Sequence, residues 1–82
     1  PRWEVNVIGL RVDEAIPIVE KAIDEAVVGG LTSLNIIHGK GTGRLRKAIW
    51  DYLTSHSMVR SFNLAESRIG GEGVTVVEIA SE

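Results

Sequence analysis

The twelve residues Ile36–Lys47, Ile-Ile-His-Gly-Lys-Gly-Thr-Gly-Arg-Leu-Arg-Lys, constrain this chain more than any other stretch. An apolar run ends at His38, glycines alternate at Gly39, Gly41 and Gly43, and a basic helical pattern begins. This reads as a strand, a bare-backbone turn and the start of a helix. Glycine lets backbone N–H groups approach an anion closely, and a helix N-terminus favours negative charge. Phosphate is the ligand such a turn suits. A strand-to-helix connection that needs glycine only for its dihedrals has the same spacing, so spacing alone leaves both readings open.

Elements on either side frame this turn. Val5 and Val7 alternate with Asn6, which predicts a short strand over Val5–Leu10 broken at Gly9. From Val12 to Val28, apolar residues fall at Ala15/Ile16, Val19, Ala22/Ile23 and Ala26/Val27, the three-to-four spacing of an amphipathic helix. Asp13 and Glu14 suit its first turn, Pro17 predicts a kinked or irregular start, and Gly29-Gly30 ends it. Leu34–Ile37 is almost continuously apolar, as in a strand buried on both faces. Strand, helix and strand in about thirty residues make a βαβ unit with parallel strands. A second helix follows from Gly43 or Arg44 to Ser55, its apolar face Leu45, Ala48/Ile49, Tyr52 and Leu53. Trp50 fits either core or surface, and His56 is expected to complement the dipole at the helix end. Val59–Ala65 alternates as a third strand, Glu66–Gly73 is a glycine-rich loop, and Val74–Ile79 is a strongly β-prone fourth strand. The expected fold is α/β (α+β), a two-layer sandwich with the order β-α-β-α-β-β and a four-stranded mixed sheet.

Composition excludes several function classes. A chain of 82 residues holds one small core, and no cysteine is present for disulfides or thiolate zinc. Two histidines, His38 and His56, are too few for a histidine-built metal cage. No apolar run approaches the ~20 residues of a membrane span, and no signal-peptide pattern is visible, so no membrane partner and a cytoplasmic location are expected. The chain starts at Pro1 without methionine, which leads us to expect a single 1–82 domain that is an excised or processed piece of a longer protein. Net charge is −2, yet Lys40, Arg44, Arg46 and Lys47 form a +4 stretch with no acid between His38 and Trp50. The Val12–Val28 segment is its opposite, at −4. A local basic patch binds phosphates whatever the total charge, although a solvated helix face has the same composition.

With these elements placed, the chain resembles the small MutS-related (Smr) domain. The resemblance is closest to the one at the C-terminus of the second MutS-type mismatch-repair paralogue of bacteria. It rests on Val5–Gly9, the helix from Val12, the run Ile36–Lys47 with its His-Gly-Lys-Gly, and Gly70-Gly-Glu-Gly-Val-Thr-Val-Val-Glu-Ile79, and it covers essentially the whole chain. The resemblance implies an Smr-like α/β sandwich that binds DNA or RNA, and a nicking endonuclease or ribonuclease activity. The parent it implies carries an ATPase portion and acts in recombination control or at stalled ribosomes. It points to His38 as the catalytic candidate. Asn6, Arg11, Gly39, Lys40, Gly41, Gly43, Arg44 and Lys47 are the nucleic-acid- or phosphate-binding candidates.

The first motif departs from the family pattern, with Asn6 in place of a carboxylate and Ile8 in place of a base. The first motif is typically Leu-Asp-Leu-His/Arg-Gly, and here Val5, Asn6, Val7, Ile8 and Gly9 stand there. An amide hydrogen-bonds phosphate but takes no proton near neutral pH, and it is a weaker metal ligand than a carboxylate. If hydrolysis needs that carboxylate, the domain is impaired or uses another acid, for which Glu66 or Glu72, in the loop before the last strand, is the candidate. His38, at the end of a strand, is open to three roles: general base, phosphate hydrogen-bond partner or turn-stabilising residue. The sequence assigns no metal ligands, though a divalent cation, Mg²⁺ or Mn²⁺, can be shared between carboxylates and phosphate. A phosphate-gripping module without turnover, and a basic helix that docks an acidic protein, are the competing readings. Neither a nucleotide P-loop nor the Gly-x-Gly-x-x-Gly spacing of a dinucleotide site is present.

Overall fold

The computed structural model describes residues 3–80. Pro1, Arg2, Ser81 and Glu82, the ends of the expected 1–82 domain, lie outside the described residues. The elements are β1 (Glu4–Asn6), α1 (Val12–Val28), β2 (Ser33–Ile37), α2 (Arg44–Thr54), β3 (Val59–Leu64) and β4 (Val74–Ile79), with two short 3₁₀ turns at Ser67–Ile69 and Gly71–Gly73. The sheet order is β1-β2-β4-β3. β1 and β2 pair in parallel, Val5 opposite Ile36, and β4 runs antiparallel between β2 and β3. This is the expected β-α-β-α-β-β two-layer sandwich.

A single core lies between the sheet and the two helices. Val5 and Val7, Leu34 and Ile36, and Val77 and Ile79 face it from the strands. Ala15, Val19, Ile23 and Ala26 form one stripe of α1, and Ile49 and Leu53 complete it from α2. The helices pack on each other as well as on this face. The opposite face carries Glu4, Asn6, Ser61 and Asn63, all exposed, and no layer among the described residues covers it. β2 therefore differs from the expectation of burial on both faces. Leu34 and Ile36 are buried, whereas Ser33, Asn35 and Ile37 are only half-buried.

Three local expectations also change. β1 is shorter than Val5–Leu10, because the Asn6 Oδ1 accepts from the Ile8 N–H at 2.9 Å and turns the chain off the ladder. α1 runs unbroken through Pro17. Its ring is exposed, so the carbonyl of Asp13, one turn earlier on the exposed side, is left to solvent at little cost. His56 lies beyond the last residue of α2, Thr54. Its Nδ1 accepts from the Met58 N–H at 3.0 Å and shapes the α2–β3 turn.

Ile36→Ala is expected to lower unfolding free energy by about 2–5 kcal/mol in urea titrations, because it empties the centre of the core. Val28→Ala, at a site 88% exposed, should change it by less than about 0.5 kcal/mol.

Candidate functional site

Parallel pairing of β1 and β2 brings their C-terminal ends to the same edge of the sheet, the edge at which α/β folds present ligand-binding residues. The turns that leave them, Gly9–Asp13 and His38–Gly43, form the two walls of an open cleft of about 730 Å³ that extends along the first turn of α2 to Arg46. Four cationic side chains line it, Arg11, Lys40, Arg44 and Arg46, against one carboxylate, Asp13.

Its two walls are built on opposite electrostatic plans. α1 starts as an ordinary stable helix does: Asp13 and Glu14 sit in its first turn, and the Arg11 N–H donates to Glu14 Oε1 at 2.9 Å. The Arg11 guanidinium is held between Asp13 at 3.5 Å and Glu14 at 4.0 Å. α2 starts from Gly43, left-handed at φ +85°, with no side-chain cap and no acid in its first turn. The Arg46 guanidinium folds back over Gly43 so closely that a Cβ there would lie 3.0 Å from it. The N–H groups of Leu45 and Arg46 have no hydrogen-bond partner among the described residues. Two arginines at the positive end of a helix dipole repel it, at about 0.3–1 kcal/mol each.

His38 extends the core-facing side of β2 and is 4% exposed. Its Nδ1 lies 2.8 Å from the Gly39 carbonyl, which only accepts, so Nδ1 carries the proton. In the neutral ring Nε2 is then an acceptor, and the Thr75 hydroxyl donates to it at 2.7 Å. Trp50 Nε1–H in turn donates to Thr75 Oγ1 at 2.9 Å. Burial, and to a lesser degree the charge of Arg46, hold the His38 pKa below its usual value against the opposing Gly39 hydrogen bond. A second tie comes from the Gly73 carbonyl, which accepts from both His38 N–H (3.0 Å) and Gly39 N–H (2.9 Å). Gly39 itself sits at φ +80°, a conformation that a β-carbon would strain.

Residues 5–80 match the Smr domain family. The chain belongs to the Smr domain family. Among curated relatives, the endonuclease MutS2 of Clostridium botulinum is 52% identical over 75 residues, 92% of this chain and 10% of that protein. The endonuclease MutS2 of Pelotomaculum thermopropionicum is 52% identical over 77 residues, again covering 10% of its length. This chain thus spans about a tenth of the curated relatives it matches. The Smr domain of Thermus thermophilus MutS2 superposes with a TM-score of 0.93 at 46% identity, over 95% of this chain and 98% of that one. YdaL, a stand-alone small MutS-related protein of Escherichia coli, superposes at 0.90 with 27% identity, over 96% of this chain and 65% of that one.

Of the residues singled out in the sequence, Arg11, His38, Gly39, Lys40, Gly41, Gly43 and Arg44 come together around this cleft of the Smr domain. Lys47 does not. It points away from the cleft to Asp51, one turn on, at 3.1 Å. Arg46 takes the place at the cleft that the sequence reading gave to Lys47. The signal was available: a side chain three residues past the N-cap reaches back over the cap, as the glutamate of a capping box does. Asn6 lies outside the cleft lining, its Oδ1 committed to the Ile8 N–H. A carboxylate oxygen would make the same bond, so asparagine at position 6 keeps this turn contact and lacks the charge. Glu66 pairs with Arg68 at 3.0 Å, and Glu72 lines a separate depression shared with Lys40, so neither puts an acid in the cleft. Both ring nitrogens of His38 are occupied by hydrogen bonds within the domain, to Gly39 and to Thr75. A divalent cation does not fit the cleft's own donors: their single carboxylate is paired with Arg11 among four cations, and the described residues contain no cluster of three His, Cys, Asp or Glu side chains.

The depressed His38 pKa makes stability pH-dependent. Below pH 6.5 the unfolded chain takes up a proton at His38 that the folded chain refuses. Stability is therefore full above 6.5 and falls as pH drops from there to the lowered folded pKa, by up to about 1.4 kcal/mol per unit. Urea titrations across this window should show the fall in the wild type and a shallower one in His38→Gln.

Proposed function

We propose that this Smr domain grips the phosphate backbone of DNA or RNA in the cleft between its first two strand-to-helix turns. The observation that carries the reading is the start of α2. A helix built for stability places carboxylates in its first turn, as α1 does. α2 places Arg44 and Arg46 there, leaves two N–H groups without partners, and has Lys40 on the adjoining glycine turn. An anion at that point accepts the free N–H groups and relieves the repulsion between the arginines and the dipole. A chain of phosphates, offering one charge after another, matches the spread of the cations along the cleft better than a single small anion.

A second reading, cleavage of the bound strand, is favoured by relatives that are endonucleases. Here the cleft would supply charge stabilisation to the phosphoryl oxygens. His38 would act as a proton acceptor only after the Thr75 hydroxyl releases Nε2, and a divalent cation, Mg²⁺ or Mn²⁺, would have to arrive with the substrate's own phosphate oxygens. In either reading the domain delivers a longer MutS-type protein, with its ATPase portion, to nucleic acid in the cytoplasm. A recombination intermediate or the RNA of a stalled ribosome is the target.

Binding of a labelled single-stranded oligonucleotide, followed by fluorescence anisotropy over a salt series, tests the first reading. Lys40, Arg44 and Arg46 acting together predict a log–log salt slope of about −2 to −3, and loss of any one should reduce it by about one. Lys47→Ala should leave affinity within about twofold, since its charge is spent on Asp51. Salt-independent binding, or equal losses from Lys47→Ala and Lys40→Ala, would count against the cleft. Supercoiled plasmid and single-stranded RNA, with and without Mg²⁺ or Mn²⁺, test the second. Cleavage that is lost in His38→Ala and rises in Asn6→Asp supports turnover, and binding without cleavage removes it.

A further inference from the structure

His38 is the third of four members of a hydrogen-bonded series that crosses the domain. It starts on α2, where Trp50 is half-buried and packs edge-on against Phe62 of β3, ring centroids 5.1 Å apart. The Trp50 N–H donates to Thr75 Oγ1 on β4, the Thr75 hydroxyl to Nε2 of His38 at the end of β2, and the His38 Nδ1–H to the Gly39 carbonyl. Indole N–H only donates and a backbone carbonyl only accepts, so every proton in the series points toward the turn. Thr75 is fully buried and His38 nearly so, and no buried side-chain polar atom among the described residues lacks a partner. Reversing any one bond would strand a donor or an acceptor away from water.

We propose that Trp50 and Thr75 are positioning residues that set the phosphate-facing backbone of the Gly39–Gly43 turn through His38. The Gly39 carbonyl is held inward by His38 Nδ1, and the Gly39 N–H is held by Gly73, so both backbone polar groups of this residue are tied down. With Gly39 fixed at φ +80°, the chain beyond it enters the cleft in one orientation, and Lys40, Gly41 and the cap at Gly43 follow from it. Releasing the ring frees the carbonyl to rotate, which the three left-handed glycines at 39, 41 and 43 permit without steric resistance. Rigidity that glycine cannot supply is thus supplied from the core. This inference rests on the phosphate-gripping reading of the cleft for its functional consequence, and on the hydrogen bonds alone for its structural one.

Thr75→Val is the variant to make, since it keeps the shape of threonine and removes both hydrogen bonds. Thr75→Ser keeps the hydroxyl, and Trp50→Phe keeps the ring against Phe62 while removing the first donor. Nitrogen-15 shifts of the His38 ring report its tautomer, and backbone amide shifts of Gly39, Gly41 and Gly43 report the turn. Anisotropy with the labelled single-stranded oligonucleotide reports affinity. Wild type and Thr75→Ser should show a neutral ring protonated at Nδ1, with the same turn shifts. Thr75→Val should lose the single tautomer, move all three glycine amides and weaken oligonucleotide binding about tenfold. Trp50→Phe should do the same to a smaller extent. A wild-type ring protonated at Nε2, or a Thr75→Val protein whose tautomer changes while the glycine amides stay in place, overturns the proposal. Equal affinity losses in the serine and valine variants also overturn it. If the wild type fails to bind the oligonucleotide, the phosphate reading falls, and the tautomer and amide shifts still decide whether Trp50 and Thr75 hold the turn.

Discussion

The parallel ladder between β1 and β2, closed by the Val7 N–H on the Ile37 carbonyl at 2.8 Å, brings both strand-to-helix turns to one edge of the sheet. A cleft forms there because each turn must leave its strand in the same direction and reach a helix on the same face. The core stripe of α1 and the shorter one of α2 hold those helices against the strands, so the separation of the two turns is set by packing. The cleft is in this sense a product of the hydrophobic core, although almost none of its lining belongs to that core.

The positive charge that α2 brings to the cleft lowers the intrinsic stability of the helix. Its first turn carries arginines where carboxylates would favour the helix, and its cap is a glycine with no side chain to offer. The deficit is met from below, by Ile49 and Leu53 in the core and by Trp50 against Phe62. The buried polar series from Trp50 to Gly39 adds directional restraint at the one place where the backbone has the most freedom. A cleft rich in glycine and like charges thus stands on a neutral, fully hydrogen-bonded footing.

Much of this was legible from sequence. Apolar spacing placed α1 from Val12 to Val28 and β4 from Val74 to Ile79, because burial on one face writes a period into the residues. The glycine run and its flanking basic residues marked the turn at the cleft. Three things were not legible. The one-sided burial of β2 was hidden because Ile37, on the open face, is as apolar as Ile36 on the closed one. Arg46 and Lys47 differ by one helical step, and only the fold shows that Asp51 claims the second. Thr75, which His38 meets through Nε2, lies 37 residues away on β4, and Trp50, which donates to that same hydroxyl, is on α2; contacts made only by tertiary pairing leave no local pattern.

Backbone amide mapping by NMR during titration with a short single-stranded oligonucleotide tests the central claim most directly, since each N–H reports on its own position. The account predicts that shifts concentrate at Leu10–Val12 and Gly39–Arg46, with the largest at the amides of Leu45 and Arg46 that begin α2. Shifts centred on the open sheet face, at Ser33, Asn35, Val76 and Glu78, with the glycine turn unmoved, would contradict it.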